Sequence, residues 1–494
     1  MFIIPCRLLK ILHDHTIFIL TILPQENEPG VIWRHGNQKS MQRHTKKEIN
    51  ALTRERDVLK YFRNGAFIMK NVIQPVKGTR DFYPELMALR NWLYGKIRKV
   101  SERFGYQEYE GPFIEKIELY AAKSGDELVN QQSFVFQDRG GDPITLRPEL
   151  TPTLARMVAQ RQNELAFPLR WWSFGPFWRY ERPQKGRTRE FFQWNIDLIG
   201  VNTPEADAEL LQVCAGFFQA VGLDPQKVQL LVNSRRLMDQ QLSKLGLEGN
   251  LRRAAFRLID RMDKLQPAEW EDYAFSQGLS AEQLDGIKTL LTNDEGWHQS
   301  EELCRVFELF QLTGLADYIR YDPHIIRGLD YYTGIVFEAK DLDGGRSILG
   351  GGHYDNLVAA VGGNPLPGVG FAMGDVMISL VLEKYGLIPS LRQNPAQVLV
   401  TVFDESRLAS SFALAMQFRN AGLNTVYYPE AAKLPKQFKY ADRIGVRFVV
   451  VSGPDEEAAG VITLKDLSNR TQEMLTVPSA IEKIHALLAV GQGL

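Results

Sequence analysis

Two long runs rich in aromatic and β-branched residues, Arg170 to Tyr180 and Phe191 to Gly200, constrain this chain more than any other feature. Side chains of that kind favour pleated, partly buried backbone. The stretch between them, Glu181-Arg-Pro-Gln-Lys-Gly-Arg-Thr-Arg-Glu190, is charged and contains both Pro and Gly. That combination predicts an antiparallel hairpin with a long loop.

Helical periodicity precedes the hairpin. After the turn Thr79-Arg-Asp-Phe-Tyr-Pro84, Leu86, Leu89, Leu93, Ile97, Val100 and Phe104 recur at steps of three and four, and Gly105 is placed to close the helix. Tyr106 to Gly111 reads as a short strand stopped by Pro112, and a second helix is expected from about Leu150 to Gln162. Residues from about 204 to 320 are mostly helical by composition, with few strand signals. Strand character returns at Asp330 to Lys340 and near Gly368 to Met373.

A boundary falls near Ile388-Pro-Ser-Leu-Arg-Gln-Asn-Pro395. Beyond it, strands at Val398 to Phe403, Thr425 to Tyr428 and Arg447 to Val451 alternate with helices at Ser406 to Ala421 and Lys433 to Ile444. Leu408, Phe412, Ala415 and Met416 share one face of the first of these helices, and Gly422 stops it. The alternation predicts a small, mainly parallel sheet with helices packed on it.

A length of 494 residues fits about three domains, or one large domain and a smaller one. The hydrophobic share of 44% and charged share of 24% exclude bulk disorder and fibrous architectures. With 58 basic and 59 acidic residues the net charge is -1, so a nucleic-acid surface must be local. The apolar run Ile17 to Pro24 is too short to span a bilayer. Cys6, Cys214 and Cys304 are far apart, which argues against a disulfide scaffold or cysteine zinc site and fits a reducing compartment. Residues 1–68 carry eleven Lys/Arg against six Asp/Glu with little sustained periodicity. A targeting peptide, a basic arm for nucleic acid and an irregular extension outside the fold all compete there, and the last is favoured. Met69 stands where an alternative start would lie.

Neither a phosphate-cradling G-x-x-x-x-G-K-[ST] loop, a His-Glu-x-x-His pair nor Gly-x-Ser-x-Gly occurs. The hairpin loop instead gathers Arg179, Arg182, Lys185, Arg187 and Arg189, followed by Phe191 and Phe192. Guanidinium forks on a stiff hairpin can clamp a polyphosphate while a ring stacks a base. A solvated tip whose cations pair with Glu181 and Glu190 accounts for the same residues. Arg327-Gly-Leu-Asp-Tyr-Tyr-Thr-Gly334 suits either a polar ligand pocket at a strand start or ordinary aromatic packing. Gly350-Gly-Gly-His-Tyr-Asp355 indicates close backbone approach to a ligand or a flexible turn, with His353 lacking a spaced metal-ligand partner. Lys433, Lys436, Lys439 and Arg443 form a basic stripe that fits a nucleic-acid backbone or a solvated helix face. Unaided, the residues point to an α/β enzyme that handles phosphate-bearing ligands.

From Gln74 onward the chain resembles the histidyl-tRNA synthetases, a class II aminoacyl-tRNA synthetase family. The resemblance rests on Lys77-Gly-Thr-Arg-Asp81, Gly111-Pro112, the hairpin from Phe177-Trp-Arg-Tyr-Glu-Arg to Gln193, Arg327 to Gly334, and Lys433-Leu-Pro-Lys-Gln-Phe-Lys-Tyr-Ala-Asp442. It implies an α+β fold: a class II catalytic domain over 69–390 on an antiparallel sheet, with a helical insertion at about 230–320. An α/β anticodon-binding domain would occupy 395–494. The implied reaction attaches histidine to tRNA(His) through histidyl-adenylate, using ATP and Mg²⁺, in a cytoplasmic homodimer with no membrane association. No protein motif for a metal is expected.

By the same resemblance, Arg327 and Arg179 would be catalytic, Arg179 holding the α-phosphate and the histidine carboxylate. Glu149, Thr151, Gln193, Asp197, Tyr331, Tyr332 and Tyr354 would bind histidine, and Glu181, Arg189 and Phe191 would join Arg179 at ATP. Arg182, Gln184, Lys433, Lys436 and Lys439 would contact tRNA. Two positions depart from the family pattern: Met377 stands where a motif 3 Arg is usual, and His353 where Arg is usual. The resemblance does not extend to residues 1–68. The alternative is a non-catalytic histidine-binding paralogue, such as a regulatory subunit of ATP phosphoribosyltransferase. The lost motif 3 Arg favours it; Arg179, Arg327 and the anticodon-like region oppose it.

Overall fold

The computed structural model describes residues 8–13, 16–23, 30–35, 42–44, 72–121, 132–184, 186–326, 331–345 and 347–490. The chain divides into two units, Met1–Gln74 and Pro75–Leu494. In the first, strands β1 (Leu8–His13), β2 (Thr16–Leu23), β3 (Gly30–His35) and β4 (Gln42–His44) form an antiparallel meander in that order. The reading of residues 1–68 as irregular is therefore corrected for these segments. The run Thr16-Ile-Phe-Ile-Leu-Thr-Ile-Leu23, too short for a membrane, has the branched and aromatic composition of a strand.

The second unit opens with helix α1 (Pro84–Arg103), whose Leu93, Ile97 and Val100 are buried and whose chain reverses through Gly105 at φ 81°. The expected strand that follows is shorter than read, β5 (Gln107–Glu108). Strands β6 (Ile114–Lys116), β7 (Phe134–Gln137) and β8 (Pro143–Leu146) make a separate three-stranded sheet in the order β6-β8-β7. Helix α2 (Thr151–Arg161) leads into β9 (Leu169–Trp178) and β10 (Glu190–Ile199), the expected hairpin, with Phe191 opposite Phe177 and Asp197 opposite Trp171.

Next come α3 (Pro204–Val221), β11 (Val228–Ser234), α4 (Arg235–Lys244), α5 (Gly249–Asp260), α6 (Pro267–Ser276), α7 (Ala281–Leu291) and α8 (Glu301–Leu312). Strands β12 (Ile319–Tyr321), β13 (Ile335–Asp341), β14 (Ser347–Tyr354) and β15 (Gly368–Gly374) follow, then α9 (Asp375–Lys384). The main sheet has the order β12-β11-β13-β14-β15-β10-β9-β5 and is antiparallel except at β11/β12 and β5/β9. Two of its central strands, β11 and β14, were not expected. Leu230 to Ser234 of β11 are buried side by side, and Leu230-Leu-Val232 carries no alternation to separate it from helix. In β14 the glycines form neither a loop nor a turn. A Cβ on Gly351 would strike the Gly370 carbonyl, so glycine permits the closeness of β14 and β15.

Strand alternation divides the work of β10 between its two faces. Trp194, Ile196 and Leu198 enter the main core with Leu93 and Ile97 of α1, Leu211 and Phe218 of α3, and Phe310 of α8. Gln193, Asn195 and Asp197 point to the other face. A second apolar cluster, including Met238, Leu258, Trp270 and Ile287, holds α4 to α7 together.

Beyond the boundary lie β16 (Val398–Val400), α10 (Leu408–Asn420), β17 (Thr425–Tyr427), α11 (Leu434–Arg443), β18 (Phe448–Val451), β19 (Ile462–Asp466), β20 (Thr471–Leu475) and α12 (Val477–Val490). The sheet order is β17-β16-β18-β19-β20. The three expected strands are parallel, and β19 and β20 extend them as an antiparallel half absent from the sequence reading. The face assigned to α10 is also corrected: Ser411, Leu414, Ala415 and Phe418 are buried, while Phe412 and Met416 are 57% and 47% exposed. Both stripes obey helical spacing, and the larger contact of Leu414 and Phe418 with Val398 and Phe448 decides between them.

At Gly175, on β9, an added Cβ would collide with the Arg147 guanidinium and the Glu110 carboxylate. Gly175→Ala is therefore expected to cost more than about 2 kcal/mol, through strain against a rigid polar pair. Denaturant unfolding measures this, and a change within about 0.5 kcal/mol would contradict it.

Candidate active site

The site begins with a buried arginine. Arg147, at the end of β8, is fully enclosed between the rings of Phe113 and Phe177, 4.6 and 4.5 Å from their centroids. Its Nε donates to the Pro176 carbonyl at 2.9 Å, and Nη1 donates to Glu110 at 2.5 Å and to the Gly111 carbonyl at 3.1 Å. The next residues, Pro148 and Glu149, are thereby fixed against β9. The Pro148 carbonyl then accepts from Arg179 Nε at 3.0 Å, which aims that guanidinium across the sheet.

Glu149, Thr151, Arg179, Gln193, Asp197, Tyr331, Tyr332 and Tyr354 converge on one cavity of about 130 Å³. Asn195, missed by sequence reading, lines it too; its place two residues from both Gln193 and Asp197 was the available signal. The cavity exists partly because Gly350 and Gly370 lack side chains, and a Cβ at Gly370 would overlap the Asp197 carboxylate. Tyr354 donates its hydroxyl to Asp197 at 2.9 Å. Burial dominates that hydrogen bond and pushes the Asp197 carboxyl up to about 7.

A wider cleft of about 310 Å³ adjoins it, and Arg179, Gln193, Gly350 and Ala372 belong to both. Glu181, Arg187, Phe191, Ser347, Val376 and Met377 are among the other residues of its wall. Phe191 stacks on Phe177 at 6.0 Å, and the Arg179 guanidinium lies 5.4 Å from the Phe191 ring. Met377 thus sits in the cleft itself. The first residue of its helix, Asp375, is buried, pairs with Arg80 at 2.8 Å and accepts the Phe192 N–H at 2.9 Å. Burial raises its carboxyl, with the Arg80 charge pulling the other way.

Other sequence-selected residues lie apart from the cavities. Arg189 lines neither; its Nε donates to the Glu181 carbonyl at 3.2 Å, its guanidinium covers Tyr180 at 4.2 Å, and its N–H donates to Gly78 at 2.8 Å. Arg182 and Gln184 are exposed on the hairpin loop, Gln184 bridging to Arg187 through the backbone. Lys433, Lys436 and Lys439 are exposed around α11, with Lys436 2.5 Å from Glu430. Arg327 falls outside the described residues. His353 is buried and lines neither cavity.

Residues 78–376 match the family model for histidyl-tRNA synthetase, and residues 397–487 match the anticodon binding domain. The chain belongs to the histidyl-tRNA synthetase family. It is 34% identical over 432 residues to the histidine–tRNA ligase of Leptospira biflexa, covering 83% of this chain and 96% of that one. The chloroplastic/mitochondrial histidine–tRNA ligase of Arabidopsis thaliana is 36% identical over 419 residues, covering 82% of this chain and 85% of that one. Among solved structures, histidyl-tRNA synthetase from Nostoc sp. PCC 7120 superposes with a TM-score of 0.69 at 27% identity, covering 84% of this chain and 99% of that one. Family membership makes this a class II ligase framework, and both family regions fall within the second unit. Among the described residues, no helix is long and apolar enough to cross a membrane.

Because Asp197 is protonated more readily folded than unfolded, the folded chain holds an extra proton between its ordinary 3.8 and about 7, and stability falls as pH rises through that window. At 1.36 kcal/mol per unit, the interval is worth up to about 4 kcal/mol. Asp197→Asn is expected to melt at a higher temperature than wild type at pH 8.5, with the gain vanishing near pH 4. Equal differences at both pH values in circular-dichroism melts would contradict this.

Proposed function

We propose that this chain joins histidine to tRNA(His) in two steps, with the small cavity holding the amino acid and the adjoining cleft holding ATP. The observation that carries the assignment is the position of Arg179 in the walls of both. A guanidinium there can orient the histidine carboxylate and the α-phosphate for in-line attack while countering the charge that develops. The carboxylate oxygen bonds to the α-phosphorus and pyrophosphate leaves. The terminal ribose hydroxyl of tRNA then attacks the adenylate carbonyl and AMP leaves, so no protein nucleophile is needed.

In this reading Glu149, Thr151, Gln193 and Asp197 take the α-ammonium group, which favours the ionised form of Asp197 on binding. Tyr331, Tyr332 and Tyr354 enclose the imidazole, a ring with one donor and one acceptor when neutral. Phe191 supplies a stacking face for adenine, beside Glu181. Arg189 acts through the shape of the hairpin, which it ties to Gly78. Arg327 is assigned its electrostatic role by resemblance. The cleft offers Glu181 as a hard oxygen donor, which would help hold a Mg²⁺ ion that enters with ATP. When bound, the ion neutralises phosphate charge.

Arg182 and Gln184 on the loop, and Lys433, Lys436 and Lys439 around α11, are exposed as tRNA contacts must be. A cytoplasmic enzyme is consistent with Cys214 and Cys304 being free thiols. The catalytic domain is taken as 69–390 with its helical insertion, and the anticodon-binding domain as 395–494. A regulatory paralogue is the weaker reading, because the chain keeps Arg179 and carries the anticodon-binding match at 397–487.

Histidine-dependent exchange of labelled pyrophosphate into ATP, followed by charging of tRNA, tests the proposal. Exchange is expected, and Arg179→Gln should reduce it about 10²–10³-fold. No exchange by wild type would overturn the reading. Met377→Arg adds a cation to the cleft and is expected to lower the ATP KM roughly tenfold with little effect on the histidine KM. An unchanged ATP KM would contradict that role.

A homodimer is inferred from the small sheet. By register Ile114 and Phe136 lie on one face of β6-β8-β7, and they are 49% and 43% exposed. Sedimentation is expected to give a two-chain mass for wild type and one chain for Ile114→Asp; a monomeric wild type would refute the pairing.

A further inference from the structure

One buried titratable pair takes no part in the proposed chemistry. His353 and Asp207 are only 2% and 4% exposed, and His353 Nδ1 lies 2.9 Å from Asp207 Oδ1. The other nitrogen, Nε2, is sealed from solvent and faces Asp355 Oδ1 at 3.4 Å. A neutral imidazole has one N–H and one lone pair, so either tautomer would turn its lone pair toward a carboxylate. Only the imidazolium suits both neighbours.

The pair sits directly behind the amino-acid cavity. Tyr354, the next residue of β14, donates to Asp197 in the cavity, so strand alternation sends the His353 ring to the opposite face, against Asp207 of α3. The His353 carbonyl accepts the Thr333 N–H at 2.9 Å, and Gly334 packs so closely that its missing Cβ would lie 3.1 Å from the His353 Cβ. Tyr331 and Tyr332, which line the cavity, lead into this contact. Outward, Asp355 is 3.6 Å from Arg236 of α4, which pairs with Glu302 of α8 at 3.0 Å. Among the described residues the charged groups around the ring are therefore Asp207, Asp355 and Arg236, with Glu302 behind Arg236. Without the ring's charge, one guanidinium serves three carboxylates.

We propose that His353 is a positioning residue for the amino-acid cavity: as an imidazolium bridging Asp207 and Asp355 it clamps the end of β14 and the Thr333–Gly334 contact, and loss of its proton weakens histidine binding. This rests on the assignment of that cavity to histidine. Burial opposes the ring's charge, but Asp207 and Asp355 outweigh it and raise the histidine above its ordinary 6.5. The clamp is accordingly present at low pH and lost as pH rises through that raised value.

Pyrophosphate exchange between pH 6.5 and 9 tests this, with histidine KM and ATP KM measured separately. Arginine at position 353 stays charged throughout, so the ratio of wild-type to His353→Arg histidine KM removes the titration of the substrate itself. The ratio is expected to rise about tenfold toward high pH while the corresponding ATP ratio stays flat. His353→Gln should show the weakened histidine KM at every pH, and Asp355→Asn should move the wild-type rise to lower pH. A histidine ratio flat with pH, or a rise unmoved by Asp355→Asn, overturns the clamp; the Asp355 variant decides the matter if the position 353 variants fold poorly. Loss of the cavity assignment would look different, as Tyr354→Phe leaving histidine KM unaltered at every pH.

Discussion

The geometry of the site depends on one desolvated guanidinium. Arg147 brings together three segments that are distant in sequence: the Glu110–Phe113 stretch, the β9 strand at Pro176 and Phe177, and the loop that carries Pro148 and Glu149. A buried charge is tolerable only when its donors are matched, and here Nε and Nη1 meet acceptors while two rings cover the faces of the group. Because the Pro148 carbonyl in turn holds Arg179, the cation at the junction of the two cavities takes its direction from a cation that lines neither of them.

The same economy of contacts shapes the other wall. Asp375 joins Arg80, ahead of α1, to the backbone of Phe192 on β10 and starts the helix that presents Val376 and Met377 to the cleft. Where the family pattern has an arginine reaching into the cleft, this chain has a thioether, and Asp375 at the start of the same helix is paired with Arg80. The cleft therefore relies on Arg179 and Arg187 for positive charge among its described lining residues.

Much of this was legible in the sequence because it was written in short-range pattern. The hairpin, α1 with its Gly105 stop, and the parallel strands of the C-terminal region follow from composition, periodicity and turn residues. The residues proposed to hold histidine came from motif resemblance, and those among the described residues line one cavity. What failed to show was set by long-range pairing. The strand β11 is buried on both faces, and the closeness that Gly351 of β14 allows is set by Gly370 across the sheet. The buried stripe of α10 differs from its rival by one step of the helix, a choice made by the sheet beneath it. Arg189 looked like one more phosphate ligand, since sequence spacing does not reveal that Gly78 and Tyr180 already engage it.

The wall common to the two cavities has a pharmacological consequence. Arg179, Gln193, Gly350 and Ala372 border both spaces, so a ligand that spanned the two would meet the same four residues from either side. Under the proposed assignment of the two spaces, a single inhibitor carrying an imidazole head and a purine tail, linked by a short uncleavable bridge, would lose its rotational and translational freedom once rather than twice. Its potency should then far exceed that of either fragment, and the length of the bridge would report how far apart the two compartments hold their guests.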